Sequence, residues 1–140
     1  MFRLPVVFST IVLALLDSHP ISALPLSNIR RESNIVFSPH ITYPDSTAIW
    51  TMGSTQNVTW ETANLPNQKH KNTGLVLLGY LENGSEHLDL RNPLATGFRM
   101  DAGFVPIKVP RKIAERNNYI CVVFGDSGNI SQKFKITKAR

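Results

Sequence analysis

From Ile35 onward the apolar residues come in short runs, each closed by Pro, Gly, Asn or Asp. No run repeats its apolar positions at helical spacing for long enough to make an amphipathic helix, so a chain like this must bury its side chains as strands. Ile35-Val36-Phe37 and Ile41-Thr42-Tyr43 read as a first strand interrupted by Pro39, and a proline there points to an edge or a bulge. Gln56 to Glu61 alternates, with Val58 and Trp60 on one face and Asn57 and Thr59 on the other. A polar loop covers Asn64 to Gly74. Leu75 to Leu81 is continuously apolar, as suits a central strand. Glu82-Asn83-Gly84-Ser85 is a hairpin, because Asn-Gly takes the positive dihedrals of a type I′ turn. His87 to Leu90 is its return strand, while Leu94 to Met100 has no clear pattern. Phe104 to Val109 reads as another edge strand because of Pro106. Asn118 to Phe124 is the second strongly apolar strand. A tight turn over Gly125 to Asn129 leads to Ser131–Thr137, where Phe134 and Ile136 face inward. About seven strands at this spacing predict an all-β sandwich over residues 38–140.

The N-terminus has a different character. Met1-Phe2-Arg3 supplies one positive charge. Leu4 to Leu16 is uncharged, and Asp17 to Ala23 is turn-forming and ends in small residues. That layout predicts a signal peptide over residues 1–23, cut after Ala23. The apolar run is shorter than a membrane span needs. Residues 24–37 are expected to be a flexible lead-in.

A secretory origin gives meaning to three other features. The chain has one cysteine, Cys121, so no intrachain disulfide can form. With apolar and aromatic neighbours on both sides, Cys121 is expected to be a buried hydrophobe rather than a reactive thiol. Three N-glycosylation sequons start at Asn57, Asn83 and Asn129, on an outward strand position and two turns. The formal net charge is +5. The positive side chains are scattered, which reads as a solvated surface. A polyanion such as an acidic wall polymer is the alternative, and nucleic acid is not expected as a partner outside the cell.

Asn57-Val58-Thr59-Trp60 followed by a proline-containing loop is similar to the second strand of fibronectin type III sandwiches. Tyr119-Ile120-Cys121-Val122 looks like a tyrosine corner, with Tyr119, Trp60 and Cys121 as structural residues. The wider pattern adds Ile41-Thr42-Tyr43-Pro44, Ile49-Trp50-Thr51-Met52-Gly53, Leu75 to Ser85, Ile107-Lys108-Val109-Pro110 and Gly125 to Phe134. Over about residues 38–137 this resembles the fungal Ser/Thr-rich GPI-anchored family, whose N-terminal domain is shared with yeast KRE/KNH cell-wall β-glucan assembly proteins. The closest likeness is to small secreted basidiomycete members. The resemblance implies an immunoglobulin-like sandwich, a wall or extracellular location, wall β-glucan or another wall protein as partner, and no catalytic residues. The C-terminal segment carries no Ser/Thr-rich stalk and no apolar tail, so no stable membrane anchor is expected.

Enzymatic readings are weaker. Gly125-Asp126-Ser127-Gly128 matches part of a serine-protease signature, but a turn explains it and no base or second barrel is evident. A copper clamp would need a cut before His19 and a second ligand among His40, His70 and His87, with no spacing to support it. Glu82, Glu86 and Asp89 could pair as glycosidase carboxylates, but a charged hairpin explains them. No metal and no cofactor is expected. For stacking on sugar rings Trp50, Trp60, Tyr43 and Tyr80 come into question. Trp60 points inward, so Trp50 and Tyr43 are the candidates. The function expected is non-catalytic binding or assembly of wall β-glucan, the alternative being a fibronectin III-type protein-interaction module.

Overall fold

A computed structural model describes residues 37–67, 73–125 and 127–140. The predicted signal peptide and nearly all of the lead-in lie outside the described residues. Among those described, ten strands form in chain order: β1 (Ile41–Tyr43), β2 (Ile49–Thr51), β3 (Thr55–Trp60), β4 (Thr73–Glu82), β5 (Ser85–Leu88), β6 (Ala95–Arg99), β7 (Phe104–Lys108), β8 (Arg116–Phe124), β9 (Gly128–Ile130) and β10 (Phe134–Thr137). One short 3-10 turn, Met100–Ala102, joins β6 to β7. The smaller sheet runs β1-β3-β7, and the larger runs β2-β10-β8-β4-β5, with β6 also on β4 and β9 also on β8.

This is a β-sandwich of the immunoglobulin type. β1, β3 and β7 form one layer, and β4, β8 and β10 form the centre of the other. The excess over seven strands comes from short pieces. β6 and β9 extend the edges of β4 and β8, and β2 is a three-residue strand parallel to β10. The chain changes sheet between β1 and β2, where the Tyr43–Pro44 peptide is cis.

Side-chain alternation builds the core. β3 turns Val58 and Trp60 inward, and β7 turns Val105 and Ile107 inward while Pro106 faces out on the sheet's edge. From the larger sheet Val76, Leu78, Tyr119, Cys121, Val123, Phe134 and Ile136 meet them. Leu77, Ile120 and Val122 are also buried, although they alternate with the core set. Burial on both faces is why β4 and β8 are continuously apolar. The hairpin forms as expected: Asn83 and Gly84 take φ of 51° and 72°, and Glu82 pairs with Ser85.

Trp60 is structural, as expected, and its indole N–H donates to the Met100 carbonyl at 2.8 Å. Cys121 is sealed in the core, and burial pushes its thiol far above the ordinary range. Trp50 requires a correction. β2 pairs with β10 in a register that leaves Ile49 64% exposed and Trp50 fully buried. Its ring packs on Phe134 at 4.5 Å, and its N–H donates to the Tyr43 hydroxyl at 3.2 Å. Trp50 therefore cannot stack on a ligand, and the half-buried Tyr43 is committed to closing the core beside it.

Candidate functional site

The smaller sheet is three strands wide, and the main path of the larger sheet is five. Part of the larger sheet's inner face therefore has no strand opposite it. The segment joining β7 to β8 folds over that part and encloses a pocket of about 240 Å³. Leu78, Gly79 and Tyr80 of β4 form one wall with His87 of β5. Pro110, Ile113 and Ala114 of the connecting segment form another, and Asp89, Asn92, Arg116 and Tyr119 complete the lining.

Each wall has a local cause. The tyrosine corner is present: the Tyr119 hydroxyl donates to the Ala114 carbonyl at 2.6 Å. It pins the connecting segment over the sheet. Desolvation raises the Tyr119 pKa despite the nearby positive charge of Arg116, so the phenol stays protonated and keeps donating.

Arg116 reaches the pocket through a bulge. Phe134 pairs with Tyr119 and Ile136 with Arg116, so two residues along β10 span three along β8. The extra residue returns Arg116 to the face that Tyr119 occupies. The Asn118 amide donates to the Leu81 carbonyl at 2.6 Å and ties the bulge to β4. The Arg116 guanidinium then lies 4.0 Å from the centre of the Tyr80 ring and 3.9 Å from the Glu82 carboxylate. His87, directly opposite Tyr80 in register, stacks on that ring at 4.6 Å and 14°. β5 and β8 flank β4 on opposite sides, so His87 and Arg116 take opposite faces of Tyr80.

Asp89 faces the pocket from the end of β5. Its carboxylate accepts from the Asn92 side chain at 3.1 and 3.2 Å and from the backbone N–H groups of Arg91 and Asn92 at 3.2 Å. The Asn92 amide is the main reason its pKa falls below the ordinary value. Asp89 is thus an ionised acceptor whose Oδ1 is taken up by the turn and whose Oδ2 keeps room for a further donor, beside a fixed amide.

Beside the pocket lies a shallower groove of about 570 Å³ that shares Asp89, Asn92, Pro110 and Ile113 with it. Lys108, Arg111 and Lys112 line this second part.

Of the aromatic residues weighed for stacking, only Tyr80 reaches the pocket, and both faces of its ring are covered, by His87 and Arg116. Trp50 and Tyr43 lie at the β1–β2 crossing, and Trp60 is in the core. Arg116, Asn92 and the 110–114 wall are not evident from sequence patterning, because a bulge and a chain crossing bring them together. Asn57 and Asn83 are exposed, as their sequons require. Asn129 differs. It is half-buried on β9, and its amide nitrogen donates to the Pro39 carbonyl.

Of the three carboxylates weighed for a catalytic pair, Glu86 is set apart from the others. Register puts Glu86 opposite Leu81 and places Glu82 and His87 on the other face. Among the described residues no three His, Cys, Asp or Glu side chains group as metal ligands. His19, His70 and Asp126 lie outside the described residues. No protein-family model matches the chain, and neither does any curated protein.

Proposed function

We propose that this chain is a secreted, non-catalytic domain of the fungal cell wall, related to the KRE/KNH-like group, and that it binds or helps to assemble wall β-glucan. The pocket on the inner face of the larger sheet is the proposed binding site. One observation carries this reading: a concave site combines apolar walls from Leu78, Pro110 and Ile113 with a fixed carboxylate–amide pair. Sugar rings present C–H faces to apolar walls and hydroxyl groups to planar acceptors and donors. Asp89 and Asn92 offer both acceptor and donor at one edge of the pocket. The resemblance over residues 38–137 and the signal-like N-terminus point the same way.

A pull-down of the secreted protein on insoluble β-glucan and on chitin tests the proposal. Retention on β-glucan, reduced by Asp89→Ala, is the expected result. Absence from both polymers contradicts it.

A second reading, a fibronectin III-type protein-interaction module, draws on a different observation. Ile49 on β2 and Phe104 on β7 are 64% and 53% exposed, and both strands are sheet edges. Edges of this kind can accept an added strand from a partner. Loss of co-purifying wall protein on Phe104→Lys, with glucan retention unchanged, would favour this second reading.

A further inference from the structure

We propose that the adjoining basic groove lets this site take an acidic saccharide as well as a neutral β-glucan, and prefer the acidic one. Its uncharged part sits in the pocket, and its carboxylate or phosphate groups meet Lys108, Arg111 and Lys112. This rests on the pocket being a saccharide site and adds the chemical class of the ligand.

Four features carry the inference. The pocket and the basic groove adjoin, since Asp89, Asn92, Pro110 and Ile113 line both. A polymer chain leaving the pocket on that side must pass over the three cations. Lys108, Arg111 and Lys112 are exposed, and no ion pair among the described residues occupies them. The Arg111 side chain lies over Gly53, where an added Cβ would be 3.0 Å from its Cζ and Nε. Its guanidinium matches carboxylate or phosphate in a bidentate fashion. Finally, the one carboxylate common to both parts, Asp89, sits beside the apolar pocket. It accepts from hydroxyls, while Arg116 gives the pocket a single Arg/Lys side chain against three in the groove. The groove is therefore the more cationic end. A neutral glucan would use only the pocket.

The test uses the secreted full-length protein and three soluble polymers: laminarin as a neutral β-glucan, polygalacturonate as a polycarboxylate and a phosphomannan as a polyphosphodiester. At low salt at least one acidic polymer should bind about tenfold tighter than laminarin, and that advantage should shrink about tenfold between roughly 50 and 250 mM salt. The triple variant K108Q/R111Q/K112Q should lose the advantage and keep its laminarin affinity and melting temperature. Asp89→Asn, which keeps an oxygen acceptor for the turn, should strengthen acidic-polymer binding. Preference for polygalacturonate or for phosphomannan identifies the acidic group. Laminarin binding as tight as that of both acidic polymers, or unaltered acidic binding in the triple variant, overturns the inference and leaves the saccharide site standing. Equal affinity for a single-stranded oligonucleotide also overturns it, because charge alone would then explain the binding. Failure of all three polymers removes the polysaccharide reading itself.

Discussion

Tyr119 does two jobs with one side chain. Its ring packs in the core, and its hydroxyl holds the segment that roofs the pocket. Tyr119→Phe keeps the first and removes the second, leaving the Ala114 carbonyl to find another donor. The expected cost is about 1–2 kcal/mol in denaturant unfolding, with weaker polysaccharide retention. Asp89 supplies a pH dependence. Its pKa is depressed, first by the Asn92 side chain, so the turn it organises is intact above the ordinary carboxylate value of 3.8. That contribution is lost as pH falls through the lower folded value. Amide NMR signals of Arg91 and Asn92 should therefore move below pH 3.8 while those of β8 stay in place. Cys121 should resist thiol reagents in the native state and react only on unfolding, since the thiolate is the reactive form and burial disfavours it. Burial of this cysteine is legible from its apolar neighbours alone. The core position of Trp50 is not legible, because neighbouring residues do not reveal which face of a three-residue strand meets the core.

The elements divide in the same way between local and non-local signals. The β4–β5 hairpin, the alternation of β3 and the edge position of β7 are written into adjacent residues: Asn83-Gly84, Val58/Trp60 and Pro106. β2 and β6 are not, because each is defined by its partner strand. The bulge in β8 is the consequential case. Arg116-Asn117-Asn118 reads as the start of a strand, yet only pairing with β10 shows that one residue is extra and that Arg116 faces the pocket. Asn118→Ala removes the amide that ties the bulge to the Leu81 carbonyl. It should weaken ligand binding several-fold while costing about 1 kcal/mol of stability. The sequons separate at this scale too. Mass spectrometry of secreted protein should find glycans on Asn57 and Asn83 and none on Asn129, whose amide nitrogen is engaged with Pro39. Full occupancy at Asn129 would show that β9 opens before the domain closes.

At the scale of the whole molecule, a sandwich with a single buried cysteine is held together by its packing. Trp60 closes the core from β3, and Trp60→Ala should cost about 3–5 kcal/mol. That is a large share of the roughly 5–15 kcal/mol available to a domain, and thermal unfolding would show it as a lowered melting temperature. The same architecture explains the site. Two layers of unequal width leave part of one inner face without a strand opposite, and the β7–β8 segment converts that face into a pocket. The all-β class and much of the core follow from short apolar runs and alternation. The pocket does not, because it depends on which strands lack an opposite neighbour. The most direct measurement is amide NMR of isotope-labelled protein titrated with β-glucan oligosaccharides. Shifts concentrated at Gly79, Tyr80, His87, Asn92 and Ala114 are the predicted result. Unchanged spectra at saturating sugar, or shifts confined to β1, β2 and the crossing at Tyr43 and Trp50, would contradict the account.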